Sequence, residues 1–150
     1  MANRVYQVQG TNQPGGAAVV HALQQNIPFD GSADMGDAIP GPAHLLASAL
    51  AACVLKNVER FSQTLHFTWS RAEVSVELER QDSPPRILQA RYALHLQTEE
   101  SVARCQLMHR NIRKFGTISN TLALACDLKG ELFAERATGV TEAVDAAVEQ

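Results

Sequence analysis

The chain has 150 residues, a net charge of −3, 45% hydrophobic and 19% charged residues, which suits one globular domain over 1–150 with a sizeable core. Lys and Arg never cluster beyond a pair, so neither a nucleic-acid partner nor an anionic membrane surface is expected. Residues 45–55 form an interrupted apolar run too short to span a bilayer, and no charged leader with an apolar stretch opens the chain, so a cytoplasmic location is expected.

In chain order, two short strands are expected at 4–9 and 17–24, joined by the turn-like Asn12-Gln13-Pro14-Gly15-Gly16. A Gly-, Asp- and Pro-rich connection over 26–40 follows, in which Asp34 and Asp37 read as turn formers. Gly41-Pro42 then opens a helix running to about Gln63, apolar on nearly every side through Leu45, Leu46, Ala49, Leu50, Ala51, Ala52 and Cys53. A helix without a polar stripe lies inside a protein or between subunits. A second subunit is the readiest source of such cover, which points to a dimer.

Val74, Val76 and Leu78 alternate with Glu73, Ser75, Glu77 and Glu79, and after Asp82-Ser83-Pro84-Pro85 the set Leu88, Ala90, Tyr92, Leu94 and Leu96 alternates again. These are the marks of an antiparallel pair with one solvated face, on which the three glutamates lie. Thr98 is the expected cap of a second helix that has Glu99 and Glu100 at its start, Arg113 and Lys114 at its end, and a stripe of Val102, Cys105, Met108, Ile112 and Phe115. Gly116 falls where a left-handed terminator is common. Leu122, Leu124, Cys126 and Leu128 suggest a final strand, and Val140, Val144 and Val148 a short helix within 138–150. The fold class expected is α+β, with antiparallel sheets and two long central helices.

Cys53, Cys105 and Cys126 are odd in number and widely spaced, which suits reduced thiols and neither a disulfide framework nor a zinc site. His21, His44, His66, His95 and His109 are dispersed singles without ligand spacing. No metal and no cofactor is expected. A thiol in the middle of a rigid apolar helix is either packing or a positioned nucleophile. His44 is no base for it, because nine residues at about 100° each put the two on opposite faces.

Three stretches resemble the OsmC/Ohr family, the osmotically induced and organic hydroperoxide resistance proteins. They are Pro42-Ala43-His44-Leu45-Leu46 leading into Ala49-Leu50-Ala51-Ala52-Cys53, the hairpin from Val74 to Leu96, and Lys114-Phe115-Gly116-Thr117-Ile118-Ser119-Asn120-Thr121-Leu122. The resemblance implies an intertwined homodimer with a reactive cysteine on the central helix, matched by Cys53, that attacks a hydroperoxide. It also implies a second cysteine, a Glu and an Arg; these fall on Gly116, on Ala43, and near Asn12 and Gln13, so the chain departs from the family at all three. Cys105 does not replace the second cysteine, since it lies eleven residues before Gly116, roughly 16 Å along a helix, and a disulfide needs Cα atoms within about 7 Å. The resulting expectation is a single-cysteine thiol peroxidase acting on organic hydroperoxides and reduced by an external thiol. The alternative is a catalytically degenerate dimer of the same fold that binds a small apolar ligand.

Overall fold

A computed structural model describes residues 2–149. The elements run β1 (Gln9–Thr11), β2 (Ala17–Ala22), β3 (Gln25–Asp30), α1 (Pro42–Leu65), β4 (Arg71–Asp82), β5 (Pro85–Gln97), α2 (Val102–Phe115), α3 (Thr117–Ala125), β6 (Asp127–Glu135) and β7 (Thr141–Glu149). Two compact units divide the chain between Leu46 and Ala47.

The first unit is built on an antiparallel sheet in the order β1-β2-β3. The first strand begins at Gln9, where the strand expected over 4–9 ends, and the segment 17–24 turns back into β3. Ala22 pairs Gln25, so the turn is the two residues Leu23 and Gln24, with Leu23 at φ 54°. That conformation is ordinarily signalled by Gly or Asn, and Leu23 gives no such signal. After β3 the Asp30 carboxylate accepts from Ser32 N (2.9 Å), Ser32 Oγ (2.6 Å) and Gly36 N (3.2 Å), bonds that hold its pKa below the usual carboxylate value.

α1 opens with Pro42 at its first position, while the Gly41 N–H donates back to His44 Nδ1 at 3.1 Å. It runs two residues past the expected end. His66 adopts φ 50°, its N–H reaches Gln63 O, and Phe67 N donates to Ser62 O at 2.8 Å, the paired bonds of a Schellman stop. Leu50, Val54, Asn57, Val58, Phe61 and Ser62 are its buried residues.

The second unit carries a four-stranded sheet in the order β4-β5-β6-β7. β4 and β5 are antiparallel in the register that the alternation implies, and Glu73, Glu77 and Glu79 are exposed. β5 and β6 are parallel, because α2 and α3 form the crossover between them; the sheet is therefore mixed where antiparallel pairing alone was expected. Leu94, Leu96, Met108, Ile112 and Leu132 are fully buried between helix and sheet, each contributing about 1.5–3 kcal/mol.

Four expectations in this unit are corrected. Thr98 does not cap α2: its hydroxyl donates to Thr68 O at 2.6 Å, and Ser101 is the cap, its Oγ accepting from Arg104 N at 3.2 Å. Gly116 is not left-handed (φ −73°, ψ 116°), and a new helix, α3, starts at the next residue. The strand expected through Leu122, Leu124 and Cys126 is that helix; Leu122 is buried and Leu124 is 92% exposed, since two residues of a helix turn through about 200° and face opposite sides. The helix expected over 138–150 is β7, Gln150 lying outside the described residues. Spacing by four fits a strand as well as a helix, and the open edge of β6 selects the strand.

Candidate functional site

The crossover brings the junction between α2 and α3 against Cys53, which is half-buried on α1. A Cβ built on Gly116 would stand 3.3 Å from Cys53 Sγ and 3.0 Å from Ile112 O, and would collide with Ser119 Oγ. The glycine is therefore required for close approach and not for a left-handed turn. Ser119, 2% exposed, donates its hydroxyl to Gly116 O at 3.1 Å and fills the volume that a side chain at 116 would take. Cys53 and Gly116, the positions on which the resemblance to the family would place its two cysteines, meet in space, with a thiol on one side only.

Asn57, one turn along α1, donates through Nδ2 to Cys53 O at 2.8 Å and reaches Cys53 Sγ at 3.6 Å. One signal for it is legible in the chain, a carboxamide in the middle of an apolar helical run, at the spacing that puts it above the thiol.

A buried polar chain lies in the same unit. Tyr92 Oη is 2.7 Å from His109 Nε2, and His109 Nδ1 is 2.7 Å from Asp145 Oδ2. A carboxylate only accepts, so Nδ1 of the neutral imidazole carries the proton, Nε2 accepts, and the Tyr92 hydroxyl donates. Burial holds the His109 pKa below its ordinary value despite the opposing pull of Asp145. Burial also pushes the Tyr92 phenol far up, opposed by Arg113 and helped by the charge of Asp145. The phenol is therefore neutral.

Local folding explains the chain. Tyr92 pairs Gly130 across β5 and β6, and its ring occupies the space where a Cβ of residue 130 would be. Register irregularities between Gly130 and Phe133 place Asp145 opposite the fully buried Leu132, on the inner face of β7. Without the slip, Ala146 or Val144 would stand there, according to which side's register is continued. His109 belongs to the inner stripe of α2, between Met108 and Ile112, and is fully buried where the sequence suggested one more dispersed histidine.

The remaining sequence candidates lie elsewhere. Cys105 is fully buried, its pKa pushed up to about 11 chiefly by burial. Cys126 caps the end of α3 instead of pointing inward from a strand; its Sγ donates to Leu122 O at 3.4 Å, and burial raises its pKa. Asn12 serves its own turn, donating to Gly31 O at 3.0 Å and accepting from Gln13 N. Among the described residues no His/Cys/Asp/Glu cluster is fit to hold a metal ion, and no helix is long and apolar enough to cross a membrane. A cavity of about 910 Å³ is lined by Trp69, Arg71, His95, Glu135 and Arg136, among others, and does not include Cys53.

The sequence pattern of the family described as OsmC-like protein matches residues 35–131. No curated protein matches the chain. The fold is similar to that of an OsmC-like protein from Mycoplasma pneumoniae, with a TM-score of 0.80 at 16% identity, over 89% of this chain and 99% of that one. It is also similar to the organic hydroperoxide resistance protein of Elizabethkingia anophelis, with a TM-score of 0.71 at 11% identity over 87% and 98% of the two chains. For the organic hydroperoxide resistance protein OhrB of Bacillus subtilis the values are 0.64, 19%, 85% and 98%. At these identities the likeness is one of fold.

Proposed function

This chain belongs to the OsmC-like protein family, and from that premise we propose that it is a stress-response thiol peroxidase using Cys53 alone against organic hydroperoxides. The observation that carries the reading is the contrast among the three thiols. Cys53 is half-buried and faces Gly116 and the Asn57 amide, whereas Cys105 is fully buried with its pKa pushed up to about 11, and Cys126 sits at the end of α3 with its Sγ donating to Leu122 O.

In the first step the Cys53 thiolate attacks the distal oxygen of the hydroperoxide. An S–O bond forms, the O–O bond breaks, and the alkoxide leaves to take a proton from water, so the sulfur is oxidised to a sulfenic acid and the peroxide reduced to an alcohol. The thiolate of an external thiol then attacks that sulfur and expels water, giving a mixed disulfide. A second external thiolate restores Cys53 and releases the reductant as its disulfide. Gly116 supplies no internal thiol for this step, which is why the reductant is external and the compartment a reducing one such as the cytoplasm.

The acting form is proposed to be a homodimer. The first unit exposes Val5, Tyr6, Val8 and Met35 by 64–87%, apolar surface that a second copy would cover. Light scattering should give twice the 16.3 kDa chain mass; a monomer at micromolar concentration removes this part of the reading.

The test of the activity is consumption of tert-butyl or cumene hydroperoxide with a small dithiol as reductant. The wild-type protein is expected to turn over and the Cys53→Ser variant to fall to the uncatalysed rate; equal rates refute the proposal. Residues Gly116, Ala43 and Asn12, where the family resemblance implies Cys, Glu and Arg, favour the second reading, a degenerate dimer holding a small apolar ligand. A Cys53 sulfenic acid formed at substoichiometric peroxide counts against it.

A further inference from the structure

Asn57 is 7% exposed, in the middle of a helix, and its position asks for a reason. Asn is a poor helix former, and a buried carboxamide loses its water, so an apolar side chain of similar size would serve packing better. Its Nδ2 carries two hydrogens. One satisfies the contact with Cys53 O at 2.8 Å, and the other is available to Cys53 Sγ at 3.6 Å. The carbonyl contact alone gains little, since that oxygen already lies in the helical ladder.

We propose that Asn57 is a thiolate-stabilising residue of the reacting centre, its amide N–H donating to Cys53 Sγ more strongly once the sulfur is ionised. The proposal deepens the peroxidase reading and rests on Cys53 being the reacting thiol. A donor aimed at the charged form favours that form. The titratable and charged groups of this corner are consistent with the role: Lys56 on α1 is exposed, Tyr92 of β5 stays neutral, and Asp145 of β7 is engaged by His109 of α2, near Arg113. The sulfur therefore meets a neutral amide in Asn57, and among the described residues no carboxylate hydrogen-bonds to it.

The experiment is alkylation of Cys53 by iodoacetamide across pH, read by peptide mass so that Cys53 is separated from Cys105 and Cys126. Asn57→Leu and Asn57→Ala are expected to raise the Cys53 midpoint by about 0.5–1 pH unit, and to slow oxidation of Cys53 by hydroperoxide at neutral pH by about 3–10-fold. Asn57→Ser, which keeps a donor, should fall between them and wild type. Should the Leu variant lose its cooperative unfolding transition, the Ala and Ser variants carry the comparison, with the Cys105 profile as the internal measure of packing. Coincident Cys53 midpoints in wild type and folded variants overturn the proposal. Failure of the peroxidase reading is seen separately, as wild-type turnover no faster than Cys53→Ser, and leaves the alkylation comparison to decide the role of Asn57.

Discussion

The sharpest test of the Cys53 corner is to place a thiol at position 116. The paired change Gly116→Cys with Ser119→Ala removes the hydroxyl that would collide with the new Cβ, and at φ −73° the backbone accepts any side chain. The new Cβ would stand 3.3 Å from Cys53 Sγ, close to the roughly 3 Å that separates a Cβ from the far sulfur of a disulfide. Attack by the introduced thiol on a Cys53 sulfenic acid would expel water and close the bond. The cross-link encloses about 60 residues, for which chain entropy predicts about 4 kcal/mol of stabilisation. For a chain of this size that is a rise of roughly 8–16 °C in Tm. Comparing oxidised with reduced forms of the same variant cancels the cost of crowding Ile112 O, which the new Cβ would approach to 3.0 Å. The assay is one equivalent of hydroperoxide, followed by thiol titration and a melt with and without reductant. Loss of two of the four thiols and the higher Tm are expected; more than two thiols still free with an unchanged melt would refute the geometry by which Gly116 faces the sulfur.

The buried chain supplies two more predictions. Tyr92→Phe strips the donor from the fully buried His109 Nε2 and should cost about 1–3 kcal/mol in urea unfolding, with Asp145→Asn coupled to it in a double-mutant cycle; additive effects would refute a connected chain. Because the folded His109 pKa lies below the ordinary 6.5, its contribution to stability is complete above pH 6.5, where both states are neutral. As the pH falls below that value the unfolded chain binds a proton that the folded chain refuses, so stability falls by up to about 1.4 kcal/mol per pH unit. Unfolding measured from pH 8 to 5.5 should show a slope that His109→Gln lacks; equal slopes would refute the assignment.

How much of this was readable in the chain depended on whether a pattern had one periodicity or two. Val74 to Leu96 alternates over two full strands and can be nothing else, and Pro42 with its apolar run leaves only a helix. Leu122, Leu124 and Cys126 alternate over too few residues to decide, and the answer came from the crossover that parallel pairing of β5 with β6 demands. Val140, Val144 and Val148 fit both periods, and the free edge of β6 decided between them. Turn chemistry failed for a different reason: Leu23 and His66 take conformations that glycine usually announces, so β3 and the last turn of α1 went unannounced.

The candidate site divides along the same line. Cys53 is legible because its chemistry and its helix are both local facts, while its surroundings are assembled from segments far apart in sequence. Asp145 turns inward only through a slip in the β6–β7 register, His109 is polar only by virtue of what meets it, and Tyr92 needs Gly130 beside it. There is no void beside Gly116; Ser119 fills the volume, and the Cys53 sulfur has a carboxamide donor in Asn57. A site built only to pack would not place a buried amide on a half-buried thiol, because an apolar side chain costs less there. The polar character around Cys53, more than the cysteine itself, is therefore what supports the proposed chemistry of this corner.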